Sequence, residues 1–491
     1  MRHKFIYLIL FVGIIGVAFY ICFKSPKERP RVIIYKRPKT VDESDIHVEE
    51  MKKIFPSFPL ELYTGKKVSP KYNNTCAKFP AKFDKLQYNN VNWQTLDTSE
   101  ATFQIFGAYW DVRQGNKMAP TVRLLAMVNQ VDFKVKTYCQ LWFKKKVIVT
   151  TLTWKYYIWN KNWGTQNGTY QPYLISCKVP KEHKKDPPIA VSLVDAQCNT
   201  PTNILKIYDN RLDEKRDFGV CVKGLDFHGD ISKRLVEWIE LLRLLGTSKI
   251  FIYQFHVHDN TKRVLEYYEG QGLVEVTPLT LPGSLPNVPY LQHSFLRANP
   301  LSRKINEIVP YNDCLYKHMY EYKYIVLLDL DEVIVPVNGT WKDLMRNVQD
   351  EIGRTGKPKP SSYYVEDLIF FDKVSDERRV FYDIPNHFHI LQRTYRAANF
   401  TKPGYNVKAF HDTDLVLTLH NNLPLTCVET CSPFAISTRD ARLQHYKENC
   451  DEEIEDSCDE LKKNLVFDDT VLRFKKDLIS GSELTLSKLN L

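Results

Sequence analysis

The stretch Glu321–Pro336, EYKYIVLLDLDEVIVP, decides how the rest of the chain is read. Four apolar residues, Ile325–Leu328, run straight into Asp329; a second carboxylate follows at Asp331, and the chain then returns to Val333-Ile334-Val335. A carboxylate is costly to bury unless something positive meets it. A bound divalent cation, a phosphoryl-transfer reaction or a turn open to solvent would each meet that demand.

Working upstream, strand and helix patterns alternate toward this stretch. GVCVKGL (219–225) reads as a short strand, and DISKRLVEWIELLRLLG (230–246) keeps helical spacing through Leu235, Trp238, Ile239 and Leu242 up to a closing Gly246. KIFIYQF (249–255) is a strand, DNTKRVLEYYEGQG (259–272) a helix, LVEVTPLTLP (273–282) a strand, and YNDCLYKHMYEY (311–322) a helix. Strand–helix repetition of this kind builds an α/β nucleotide-binding half. Ligands in such sheets sit beyond the carboxyl ends of the strands, where Asp329 and Asp331 fall.

Before this region, residues 76–215 change texture. ATFQIFGAYWDV, TVRLLAMVNQV, KTYCQLWFKK and VIVTTLTWKYYIW predict a smaller, antiparallel β-rich domain. Residues 24–75, rich in Pro and Lys, read as a stem, and 461–491 as a C-terminal tail after a domain over 216–460. Residues 5–23, FIYLILFVGIIGVAFYICF, carry no charge and are long enough to cross a bilayer. The reading is an uncleaved transmembrane signal anchor behind a cytoplasmic tail of residues 1–4; a leader cleaved after Gly16-Val17-Ala18 is the alternative. Flanking charges do not set its orientation, since Arg2 and Lys4 precede the span while Lys24, Lys27, Arg29 and Arg31 follow it.

Cysteines and sequons decide the compartment. Ten of the eleven cysteines lie beyond the span, an even set suited to disulfides in an oxidising lumen. Cys427 and Cys431 alternatively suggest a thiolate metal site, and Cys450 with Cys458 a closed acidic loop. Asn73, Asn167, Asn338 and Asn399 head N-glycosylation sequons. These features predict a single-pass type II membrane protein with its bulk luminal. The net charge of +10 is dispersed among both signs, which argues against nucleic acid as a partner.

For the acids themselves, DLDEV matches the nucleophile motif of haloacid-dehalogenase-type phosphatases, but that motif normally opens its domain and here follows a whole α/β half. The alternative is the Asp-x-Asp of a metal-dependent glycosyltransferase, where Mn²⁺ or Mg²⁺ held by oxygen ligands neutralises the diphosphate of a sugar nucleotide. A non-enzymatic luminal glycan-binding protein is a third class.

CVKGLDF (221–227), RLVEWIELLRLLG (234–246), KIFIYQFHVHDNT (249–261), VEVTPLTLP (274–282), the run 311–336 and TLHNNLP (418–424) together resemble glycosyltransferase family 92 over roughly 216–450. The resemblance implies a GT-A fold, Mn²⁺, a UDP-sugar donor (UDP-galactose first), and transfer with inversion to a glycan acceptor on a glycoprotein or glycolipid, and it implies that the membrane is the Golgi's. An inverting reaction needs a base; Asp367 is the first candidate, with Glu366 and Glu332 behind it. GT-A enzymes commonly complete the metal site with a histidine, for which His420 and His445 compete. Lys223, Gly224 and Asp226 at the first strand's end are candidates for the nucleotide; Asn312 and Asp313 either contact the ribose or cap their helix. His256 and His258, which resemble a metal pair, read instead as residues leading into a helix cap.

Overall fold

Along the N-terminal strands successive residues face opposite sides, and in much of the sheet both sides are buried. The computed structural model describes residues 43–63, 75–113, 115, 119–164, 168–371, 381–401, 403–404, 406–447 and 461–491. After a helix, α1 (Glu43–Ile54), come β1 (Gln94–Asp97), β2 (Thr102–Asp111), β3 (Thr121–Val128), β4 (Tyr138–Trp142), β5 (Val147–Tyr157), β6 (Gln171–Lys178), β7 (Ala190–Val194) and β8 (Leu205–Tyr208). They pair in the order 1-2-3-6-5-4-7-8, and a further pairing of β2 with β8 closes the sheet on itself. Alternate residues of β3 then serve two cores. Val122, Leu124 and Ala126 fill the β-rich part with Phe103 and Trp110, whereas Leu125 and Met127 pack with Cys221, Phe251, Leu315 and Ile325 of the following α/β part. The expected smaller domain is therefore not independent; it shares an apolar core with its neighbour inside one unit running from Met51 to Leu491.

The α/β half is built from β9 (Arg216–Phe227), α2 (Ser232–Leu245), β10 (Lys249–Val257), α3 (Asp259–Gly270), β11 (Val274–Pro278), α4 (Pro289–Ala298), α5 (Pro300–His318) and β12 (Tyr322–Leu327). The strands lie parallel in the order β11-β10-β9-β12. Helix α2 buries Leu235, Trp238, Ile239 and Leu242, and Gly246 ends it at φ +102°, a left-handed conformation that a side chain would strain.

The quoted stretch proves to be two strands in two sheets. β12 stops at Leu327, paired with Cys221; β13 (Glu332–Pro336) resumes antiparallel to β21 (Ala441–Lys447), with Glu332 opposite His445. Between β13 and β21 in the chain lie α6 (Trp341–Thr355), β14 (Ser362–Val365), β15 (Asp367–Phe371), β16 (Tyr395–Ala397), β17 (Lys408–Asp412), β18 (Val416–Leu419), β19 (Pro424–Cys427) and β20 (Pro433–Ala435). The run SSYYVEDLIFF breaks in the same way at Glu366. β14 joins the first sheet beside β17, and β15 joins the second beside β21. Both apolar–acidic–apolar stretches thus cross between sheets at their carboxylates, and β21 lies between the two crossing strands.

Two expectations are corrected here. The stem reading of 24–75 fails from Pro56 onward: Ser57 O accepts from Lys206 N at 2.7 Å, the Tyr208 hydroxyl donates to Pro56 O, and Phe58, Leu60 and Tyr63 are buried. Residues 461–491 are not a tail. β22 (Leu465–Phe467) pairs with β16, and α7 (Lys475–Leu489) packs on α2, burying Leu478 and Leu486 in the core that holds Leu235 and Trp238. The approach is close enough that a Cβ on Gly481 would come within 2.8 Å of Glu240 Oε2. Asp468, in the FDDT tetrapeptide, accepts from Arg396 Nε at 2.7 Å and Arg442 Nη1 at 2.6 Å, a structural role.

Cys76–Cys198, Cys139–Cys177, Cys221–Cys314 and Cys427–Cys431 are disulfides, so the thiolate metal reading of the last pair falls. Asn338 and Asn399 are exposed. Residues 5–23, Asn73, Asn167, Cys450 and Cys458 lie outside the described residues. Among the described residues no helix is long and apolar enough to cross a membrane. Cys221–Cys314 ties β9 to α5 behind the ends of the parallel strands. Replacing both cysteines by alanine is expected to lower the unfolding free energy by about 2–4 kcal/mol, read as a fall in the urea midpoint. An unchanged midpoint would show that apolar packing alone fixes α5.

Candidate active site

Where the two sheets exchange strands, five charged side chains from four elements converge. Lys223, near the end of β9, stands 3.2 Å from Asp329 Oδ1 and 3.4 Å from Glu307 Oε2. Lys408, the first residue of β17 and 2 % exposed, reaches Asp329 Oδ2 at 3.3 Å and Glu332 Oε2 at 3.0 Å. The turn is closed by the Asp329 amide donating to Glu332 Oε2 at 3.2 Å. Two lysines therefore answer Asp329, Glu307 and Glu332, three of the four acids here. Burial opposes the charge on Asp329, yet Lys223 and Lys408 outweigh it and hold its pKa below the usual carboxylate range. At Glu332 burial wins over Lys408 and His445, and its pKa is raised. The sequence shows no positive partner near these acids because Lys408 lies 79 residues from Asp329.

Asp331 is the acid left over. Its side chain keeps 37 % exposure, and its Oδ2 lies 3.5 Å from His445 Nε2. At the histidine's other ring nitrogen, Nδ1 is 3.1 Å from Asp367 Oδ1. Partial burial works against charge on Asp331, but His445 and Arg234 hold its pKa well down. Burial likewise opposes charge on His445, yet Glu332, Asp331 and Asp367 push its pKa up to about 10. An acid, an imidazole and a second acid behind the imidazole form the arrangement in which an outer carboxylate fixes the tautomer of a metal-ligating histidine. Asp331 and His445 have the atoms to bind a divalent cation; Asp329 is already paired with two lysines.

These residues open on a cavity of about 910 Å³ at the carboxyl ends of the parallel strands. Lys223, Gly224 and Asp226 line it, as do Arg234, Arg297, Arg303 and Lys447, which the sequence reading missed. Gly224 is required by packing: a Cβ there would fall 2.5 Å from the Phe255 ring. The sequence signal for Lys408 is a lone lysine that interrupts the short apolar run Val407–Phe410.

The remaining candidates sit elsewhere. Asn312 and Asp313 occupy the interior of α5, neither at its start nor at the cavity. Asn312 Nδ2 donates to Leu419 O at 2.8 Å and its Oδ1 accepts from Leu419 N at 2.9 Å, clamping β18. Asp313, 1 % exposed, accepts from the hydroxyls of Tyr109 and Tyr253 and pairs with Lys317 at 2.7 Å. Ribose contact and helix capping are both excluded by that position. His420 packs between Trp159 and Trp163, with ring centroids 5.2 and 4.6 Å away, and burial pushes its pKa down to about 4; it does not line the cavity, whereas Asn421 and Asn422 do. Asp367 is fully buried behind His445, and Glu366 accepts from the Gly404 amide at 3.3 Å, so neither lines the cavity. His258 caps α3, accepting from Asn260 N at 3.2 Å.

A parallel α/β sheet whose strand ends open on a cavity lined by six lysines and arginines, five carboxylates and an imidazole paired with one of them is a frame suited to a glycosyltransferase. The chain belongs to glycosyltransferase family 92, whose sequence profile matches residues 216–480. Over 263 residues it is 27 % identical to the beta-1,4-galactosyltransferase galt-1 of Caenorhabditis elegans, a match covering 50 % of this chain and 53 % of that protein. The match thus spans about half the length of that relative. Among solved structures, S. aureus TarS residues 1–349 align at 13 % identity and a TM-score of 0.24 in complex with UDP, covering 47 % of this chain and 61 % of TarS. In complex with UDP-GlcNAc the alignment gives 14 % identity and a TM-score of 0.23, over 48 % and 60 % of the two chains.

Proposed function

We propose that the chain is a GT-A-type hexosyltransferase that moves galactose from UDP-galactose to a glycan acceptor on a glycoprotein or glycolipid, with inversion, in the Golgi lumen. The observation that carries this reading is the cavity itself, which Asp331 and His445 line together with Lys223, Arg234, Arg297, Arg303 and Lys447. The galactose assignment leans on the relative's name, and the luminal one on disulfides and exposed sequons.

Asp331 and His445 would hold Mn²⁺ or Mg²⁺, with Asp367 orienting the imidazole. When bound, the cation supplies Lewis-acid neutralisation of the leaving diphosphate. Lys223 and the arginines add positive charge, and Lys223, held by Asp329 and Glu307, needs little reorganisation as the diphosphate departs. Of the three carboxylates expected to take the acceptor's proton, Glu332 lines the cavity, and its raised pKa is the direction a base requires.

The test is UDP-hexose turnover by the purified full chain with and without Mn²⁺, followed by a glycan acceptor array. UDP-galactose should lead the donors; a preference for another UDP-hexose would move the sugar assignment, and full turnover in EDTA would remove the metal. Asp367→Asn separates the two roles argued for that residue. As a support for His445 its loss should weaken Mn²⁺ binding by about 10–100-fold, the usual worth of an outer-shell partner. A direct base would leave Mn²⁺ affinity unchanged and lower turnover alone. Peptide-N-glycosidase should shift the mobility of the cell-made protein, and no shift would place the domain outside the secretory lumen.

A further inference from the structure

A second group of metal-binding side chains stands at the end of β9, and the reaction above does not use it. Asp226 near the end of β9, His228 just beyond it and His293 of α4 each present one ligand atom, all within 4.8 Å of one another. His293 Nδ1 lies 3.0 Å from Asp226 Oδ2, and His228 Nε2 lies 3.7 Å from Asp226 Oδ1. His256 is brought alongside by the parallel pairing of β10 with β9, in register with Asp226, and its ring centroid is 4.6 Å from that of His228. Tyr290 stacks on the other side at 4.6 Å.

The hydrogen-bond pattern is what singles out this cluster. Both ring nitrogens of His228 and the Oδ1 of Asp226 are shielded from solvent and have no hydrogen-bond partner. Buried polar atoms are nearly always satisfied, and each orphan needs an explanation. Here three orphaned atoms belong to two ligand-type residues two positions apart, Asp226 on β9 and His228 just past its end. We propose that Asp226, His228 and His293 bind a Zn²⁺-type cation that ties α4 to the tip of β9. His256 stands by as a fourth donor, and any remaining coordination position opens toward the cavity that Asp226 and His293 line.

The donor set argues for zinc over manganese. Two or three imidazoles and one carboxylate make a borderline nitrogen-rich site of the kind Zn²⁺ favours, with three or four protein ligands. Asp331 with His445, beside a diphosphate, offers mostly oxygen and suits a harder cation. The cavity would then carry two cations of different chemistry, one engaging the donor and one bracing its wall.

The full chain, stripped with chelator, is titrated with Co²⁺, whose visible absorption reports a low-coordinate nitrogen–oxygen site. The titration uses an Asp331→Asn background, so it reads the same whether or not the acid–histidine pair holds a metal. The expected result is a single equivalent of Co²⁺ giving intense visible bands, displaced by Zn²⁺ and not by Mg²⁺. His293→Ala and His228→Ala should each weaken that binding by about 100-fold or more, since outer-shell partners alone are worth 10–100-fold. Circular dichroism checks that each variant is folded. His293 is partly exposed on α4, so its variant decides the matter should His228→Ala misfold. Absence of the bands in the background protein, or their persistence in a folded His293→Ala variant, overturns the proposal.

Discussion

Asp331→Asn is expected to reduce transfer by about 10³-fold or more, because a cation on the diphosphate is worth several kcal/mol and each 1.4 kcal/mol is tenfold in rate. The fold should stay intact. Asp331 keeps 37 % side-chain exposure, and its close partner, His445, retains Asp367 on its other nitrogen. Mn²⁺ titration followed by electron paramagnetic resonance should show affinity lost together with turnover. Wild-type turnover in this variant would sink the acid–histidine pair as the cation site. Asp329→Asn makes the informative contrast. Read from the sequence, the two acids are equivalent; in the structure Asp329 answers the buried Lys408 and the half-buried Lys223, so its amide should lower stability as well as rate.

Lys408→Met should be the most destabilising single change in the site, costing about 3–5 kcal/mol, the range seen when one partner of a buried ion pair is removed. The ammonium is 2 % exposed and meets both Asp329 and Glu332, and burial cannot be relieved by solvent once it is gone. Urea unfolding reads the loss. Adding Glu332→Gln should restore part of it by removing one of the stranded charges. A Lys408→Met protein as stable as the parent would mean that the two carboxylates simply take up protons, and the ion network would then have no structural weight. In the folded variant UDP binding should also weaken, because Lys408 lines the cavity beside both acids.

How much of this was legible in the chain follows from how local each signal is. The strand–helix alternation from Gly219 to Pro336, the glycine that ends α2 and the position of two acids at a parallel strand's end are set by neighbouring residues, so periodicity reveals them. The same locality misled at two places. Residues 461–491 carry weak helical amphipathicity, and only the presence of α2 beside them turns a tail into core. EYKYIVLLDLDEVIVP and SSYYVEDLIFF each look like one strand because a change of sheet leaves the β period intact on both sides. What the tertiary structure alone decided is which charges meet. Asp329, Asp331, Asp367, Lys223, Lys408 and His445 lie up to 222 positions apart in sequence, on strands of two sheets and the connection between them, which no local pattern pairs. Sequence determined that the acids need a positive partner; the crossing of strands between sheets gave Asp329 two lysines and left Asp331 to His445.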